Sequence, residues 1–88
     1  MAPSNVGWGM QSEVAATGLV MAHAGFVRRL ARSLLASDDQ AEDVVQDTML
    51  LALTRPPRHA AALRSWLATV ARNLSFQTLR ADGRRTRR

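Results

Sequence analysis

The feature that most constrains this chain is one segment punctuated at both ends. Ser37-Asp38-Asp39-Gln40 has the form of a capping box, with a serine cap and a glutamine three residues on. Asp38 and Asp39 then fall in a first helical turn, where the helix dipole favours acids. Pro56-Pro57 ends the segment, because proline lacks an N–H and pushes the residue before it out of helical geometry. Between these marks Ala41, Val44, Val45, Thr48, Met49 and Ala52 share one helical face. The spacing predicts a helix from Ser37 to about Thr54 with that face buried.

The opposite side of this helix carries Asp39, Asp43, Gln46 and Asp47, together with Leu50 and Leu53. Two leucines among carboxylates have the form of a docking patch with a charged rim. The plainer alternative is that they pack beneath the Arg55–Arg58 connection.

Two further helices are needed to cover the buried face. Residues 13–35 place Leu19, Val20, His23, Phe26, Val27, Leu30, Ala31 and Leu34 on one stripe, with Arg28, Arg29 and Arg32 opposite. His23 reads as a satisfied, partly buried histidine. Gly18 and Gly25 weaken such a helix unless they allow close backbone approach. Residues 60–81 repeat Leu63, Leu67, Val70, Leu74, Thr78 and Ala81 toward a core. Trp66, Asn73 and Gln77 form a second line at the edge of that stripe, which suits stacking on bases and bonding to their edges. Trp66 is equally readable as a large core residue at a helix junction. Three apolar faces close one core, so the expected fold is an all-α, compact three-helix domain over residues 13–81. Residues 1–12 read as a flexible leader and residues 82–88 as a basic tail or linker.

Charge is uneven. Residues 1–63 hold five arginines and six acids, and residues 64–88 hold seven arginines and one acid. A basic end beside an acidic middle suits two faces with different partners; the plainer alternative is ordinary solvated helix surface plus a basic tail. The chain has no cysteine, which excludes a disulfide scaffold, a cysteine zinc site and a cysteine nucleophile. There is no phosphate-binding glycine loop, no His-Glu-x-x-His and no serine elbow. We therefore expect no enzyme, no cofactor and no metal. No apolar run is long enough to span a bilayer, so no membrane association is expected and the expected address is cytoplasmic.

Two blocks carry a family resemblance. Ala41-Glu42-Asp43-Val44-Val45-Gln46-Asp47-Thr48-Met49-Leu50 is followed by Leu63-Arg64-Ser65-Trp66-Leu67-Ala68-Thr69-Val70-Ala71-Arg72-Asn73-Leu74. In that order and spacing they resemble region 2 of bacterial sigma-70 family factors, in particular the extracytoplasmic-function (ECF) group. His23-Ala24-Gly25-Phe26-Val27-Arg28-Arg29-Leu30-Ala31 resembles the first conserved helix of the same domain. The resemblance implies docking of Asp43, Gln46, Asp47, Leu50 and Leu53 on the coiled coil of the largest catalytic subunit of core RNA polymerase. It implies that Arg58, Arg64, Trp66, Arg72, Asn73, Gln77 and Arg80 meet the −10 promoter element as non-template single strand. Trp66 is similar to the aromatic at the upstream edge of the bubble, and Asn73 to an amide lining a flipped-base pocket. An anti-sigma factor is a further implied partner.

Two departures bear on promoter choice. Asp47 stands where the family usually has glutamate. Pro56-Pro57-Arg58-His59 replaces a Phe-Arg-Gly element in a stretch that helps to form the base pocket. Family members also carry a second domain that reads the −35 element, and by the resemblance Arg88 falls in the interdomain linker. Two other readings remain. One is a sigma-like interaction module that binds polymerase or an anti-sigma factor without opening promoters. The other is a helix-turn-helix duplex reader, which the acids after Ser37 disfavour because they would face a DNA groove.

Overall fold

The computed structural model describes residues 12–87, with side chains from 16 to 84. Its elements are α1 (Ser12–Ala22), α2 (Ala24–Leu34), α3 (Asp38–Thr54), a 3-10 turn (Ala60–Ala62) and α4 (Leu63–Arg87). Among the described residues there is no strand, and the domain is all-α. α2, α3 and α4 each pack on the other two, while α1 leans on α2 and α3.

α3 forms where its punctuation predicts. Ser37 is extended, and its hydroxyl accepts the Gln40 N–H at 3.2 Å. The box is only half made, because the Gln40 amide instead donates to Asp82 on α4 at 2.8 Å. At the far end the Arg55 N–H closes on the Leu51 carbonyl at 2.7 Å. The buried residues of α3 are Ala41, Val44, Val45, Thr48, Met49 and Ala52, the face read from the spacing.

The first predicted helix is two helices. At His23 the backbone N–H turns to the Val20 carbonyl at 3.0 Å, a tighter turn than α. The Leu19 carbonyl would lose its partner there, and the His23 ring supplies one through Nδ1 at 2.8 Å. That bond makes the neutral ring carry its proton on Nδ1. His23 is therefore satisfied, but as the filler of a helix break rather than as a member of a continuous stripe. The break turns Leu19 outward, to 40% exposed, whereas Val20, Val27 and Ala31 stay in the core. A Cβ on Gly18 would meet nothing within 4 Å, and one on Gly25 would meet only the end of Arg29 at 3.9 Å. Neither glycine marks a close helix approach.

On α4 the deepest residues are Leu63, Leu67, Ala71 and Ser75. Val70, Leu74, Thr78 and Ala81 are half-buried beside them. The buried line thus passes from large side chains, Leu63 and Leu67, to small ones, Ala71 and Ser75. α4 also runs on to Arg87, so residues 82–87 continue the same helix. α3 and α4 are antiparallel, with Gln40 beside Asp82 and Asp43 near Thr78 and Ala81. By that register Thr48 and Ser75 lie at one level. Both hydroxyls are fully buried and have no hydrogen-bond partner.

Candidate functional site

The candidate site is two outward helix faces. On α3, Asp43, Gln46, Asp47, Leu50 and Leu53 are all exposed, and they recur at three- and four-residue steps along one side. Leu50 is 60% exposed and Leu53 43%, so the Arg55–Arg58 connection does not cover them. Their neighbours across the interface come from α1 and α2. Met21, itself 50% exposed, lines an open groove of about 360 Å³ together with Leu50 and Leu53. Met21 carried no signal in the sequence, because its place depends on how α1 packs beside α3.

An ion pair forms the rim of that groove. Arg28 Nη2 donates to Glu42 Oε1 at 3.1 Å, and Arg28 Nε donates to Oε2. The hydrogen bonds from Arg28 hold the Glu42 carboxyl below its ordinary range; partial desolvation opposes this, and the charges of Arg28 and Arg32 reinforce it. Arg28 is correspondingly shifted up by its bonds to Glu42. Arg32 reaches Asp38 at 3.7 Å, so the start of α3 is tied twice to α2.

The basic face is less uniform. Trp66 is half-buried and packs against the core, which fits the reading of it as a large core residue and leaves part of its surface exposed. Arg72, Asn73, Gln77 and Arg80 are exposed. At about 100° per residue Trp66, Asn73, Gln77 and Arg80 fall within a narrow strip of α4, and Arg72 stands about 100° from Asn73. Arg64 belongs to the other flank. Its guanidinium lies 3.9 Å over the Phe26 ring, a cation–π contact between α4 and α2. The structure thus brings Trp66, Asn73, Gln77 and Arg80 together and sets Arg64 apart. Arg58 is exposed in the connection before the 3-10 turn.

No cluster of three or more His, Asp or Glu side chains that could hold a metal occurs among the described residues. No described helix is long and apolar enough to cross a membrane.

Residues 19–85 match the Sigma-70 region 2 family. The chain belongs to that family. The sigma region 2 domain described here is also 42% identical over 62 residues to the ECF RNA polymerase sigma factor SigL of Mycobacterium tuberculosis, in three strains. That alignment covers 67% of this chain and 35% of the relative, so the chain spans about a third of the length of the curated relatives it matches. No solved structure gives a significant match. Together the family match and these relatives make this an ECF-type sigma-70 region 2 domain. The family regulates transcription and is not one of catalysts.

Proposed function

We propose that this domain acts in transcription initiation by docking on core RNA polymerase and holding the −10 promoter element as single strand. Asp43, Gln46, Asp47, Leu50 and Leu53 would meet the coiled coil of the largest catalytic subunit. The acids steer the encounter, and the leucines give the desolvated contact. Trp66, Asn73 and Gln77 would receive unstacked bases of the non-template strand. Arg72 and Arg80, with Arg58 and Arg64, would hold its backbone. Residues 13–81 form the working unit in this reading, and the basic helical segment after them extends the strand-holding side.

The observation that carries the proposal is the exposure of Leu50 and Leu53 just beyond Asp43 and Asp47, on a helix whose other face is fully used by the core. The test is co-migration of the 88-residue chain with purified core polymerase on size exclusion. Co-migration is expected. The pair Asp43→Ala and Leu50→Ala should weaken it about tenfold or more, with helicity by circular dichroism unchanged. Wild-type affinity in that pair would remove the docking assignment.

A second reading has its own support. Trp66 is partly committed to the core and Arg64 to Phe26, so the strand-holding side is the less free of the two. A polymerase-binding or anti-sigma-binding module without promoter opening fits that asymmetry. Polymerase binding with no preference for single-stranded −10 DNA would select it.

A further inference from the structure

The proposed function leaves one apolar patch unused. Phe76 and Leu79, one helical turn apart on α4, are each 41% exposed. With Arg80, Gly83 and Arg84 they line an open depression of about 470 Å³. A Cβ on Gly83 would meet nothing within 4 Å, so a second backbone can come close there. At 100° per residue this patch faces directly away from the Leu67–Ala71 seam.

The patch and the outer face of α3 are complementary. Each has an apolar pair at positions i and i+3: Leu50 with Leu53, and Phe76 with Leu79. Each pair runs into charges spaced four apart, Asp43 with Asp47 and Arg80 with Arg84. No base lies on the outer α3 face beside Asp39, Asp43 and Asp47. Asp82, the one acid among residues 64–88, is turned to α3, where it accepts from Gln40. Within one molecule the two faces cannot meet, because α3 and α4 pack through their opposite sides.

We propose that this chain self-associates by seating the outer face of α3 in one copy on the Phe76–Leu79 patch of α4 in another. The antiparallel register is favoured. Setting Leu53 against Phe76 and Leu50 against Leu79 places Asp47 between Arg80 and Arg84, and Asp43 just past Arg84. Each axial offset is about 3 Å, within reach of an arginine. The like charges it brings to one level are Arg72 with the arginines of the connection, and Asp47 with Asp82, whose side chain is turned to the α3 of its own copy. The parallel register would set both Arg80 and Arg84 against Arg55 and Arg58. A single helix-on-helix contact falls below the roughly 1,200 Å² of stable complexes, so the association is weak, concentration-dependent and salt-sensitive. It also covers Leu50 and Leu53, so a chain so paired is not free to dock elsewhere through them.

Sedimentation velocity of the full chain tests this without polymerase, so its result is independent of the docking proposal. The weight-average mass should rise with concentration and fall back with added salt. Phe76→Ser with Leu79→Ser, and separately Leu50→Ser with Leu53→Ser, should each stay monomeric. Mixing the two doubly substituted chains should restore pairing at one to one, because each keeps the half the other lost. Charge reversals give the same test at exposed positions that do not bear on folding: Asp47→Arg alone, Arg80→Asp with Arg84→Asp alone, then the two mixed. A wild-type chain that is monomeric throughout would overturn the proposal. So would association that survives either set, or folded variants that fail to pair when mixed. In those cases an acidic helix of another protein, or a nucleic acid strand, becomes the occupant of the α4 patch.

Discussion

The outer faces of α3 and α4 divide fold from function differently. On α3 the division is clean: six inward residues are buried, and the acids and leucines outside add little to the core. On α4 the two roles overlap. Trp66 both packs on the core and shows a surface, and Arg64, one of the residues the family resemblance assigns to the strand, is held by Phe26 on the other flank. Substitutions on the α3 face should therefore change binding alone, and several on α4 should change binding and stability together. Each experiment below strains that contrast, from the largest expected effect to the smallest.

The core is the reference point. Leu67 is fully buried in the α4 seam, and Leu67→Ala should cost about 2–5 kcal/mol by lost burial and the cavity left behind. In a domain this small, that is much of the total stability. Urea unfolding followed by circular dichroism would read it. Polymerase and strand binding should fall together, and loss of only one would mean that the two faces are less tied to one core than described.

Asn73 and Arg64 sharpen the contrast within α4. Asn73→Ala should reduce binding of single-stranded −10 DNA roughly tenfold, with stability unchanged. Arg64→Ala should cost about 0.5–1 kcal/mol of stability from the lost contact with Phe26. If Arg64 also holds a phosphate, the salt dependence of strand binding will fall by about one unit of slope. An unchanged slope with lowered stability would assign Arg64 to the fold alone.

Why α3 was legible and the rest less so follows from where the information lies. The ends of α3 are set by local chemistry, the Ser37 cap and Pro56-Pro57, and its buried face by large apolar residues at regular spacing. On α4 the spacing found Leu63 and Leu67 but not the two deepest positions after them, Ala71 and Ser75, whose small side chains carry little hydrophobic signal. A hydrophobicity pattern picks out Val70 and Leu74 instead, and these flank the seam. The break at His23 depends on a ring-to-carbonyl bond that no spacing rule anticipates. Of the candidate site, the α3 residues were readable because leucines among acids stand out. Met21 and Phe76 were not, because their exposure is decided by how separate helices pack.

Thr48 and Ser75 offer a smaller test on the shared side of both helices. Their buried hydroxyls lack partners, which costs stability that an apolar replacement of the same shape avoids. Thr48→Val should raise stability by about 1 kcal/mol, read as a higher urea midpoint at constant slope. Binding through either outer face should be unaffected. A loss of stability would show that the Thr48 hydroxyl is satisfied in solution, by a bound water for instance.

The smallest effect is electrostatic. Glu42 sits between the two regimes, on α3 but bonded to Arg28 of α2, with its carboxyl held below the ordinary 4.5. A carboxyl depressed in the folded state gives stability that is complete above its unfolded pKa and is lost as pH falls through the folded one. Near neutral pH the pair therefore contributes in full. Acidification below the ordinary carboxylate range removes the contribution, because the unfolded chain takes up the proton first. Arg28 is shifted upward, so its share is present at every pH below the unfolded arginine value and does not change across this window. Glu42→Gln should lower the neutral value slightly and flatten the acid limb of the stability–pH curve by the same small amount, since the pair is open to solvent. Because Glu42 lines the groove beside Leu50, the same variant also asks whether the rim matters to docking. A flattened acid limb with unchanged polymerase affinity would place Glu42 with the fold, on the inner side of the division that α3 otherwise draws so cleanly. A fall in affinity with an unchanged acid limb would place it with the docking face instead.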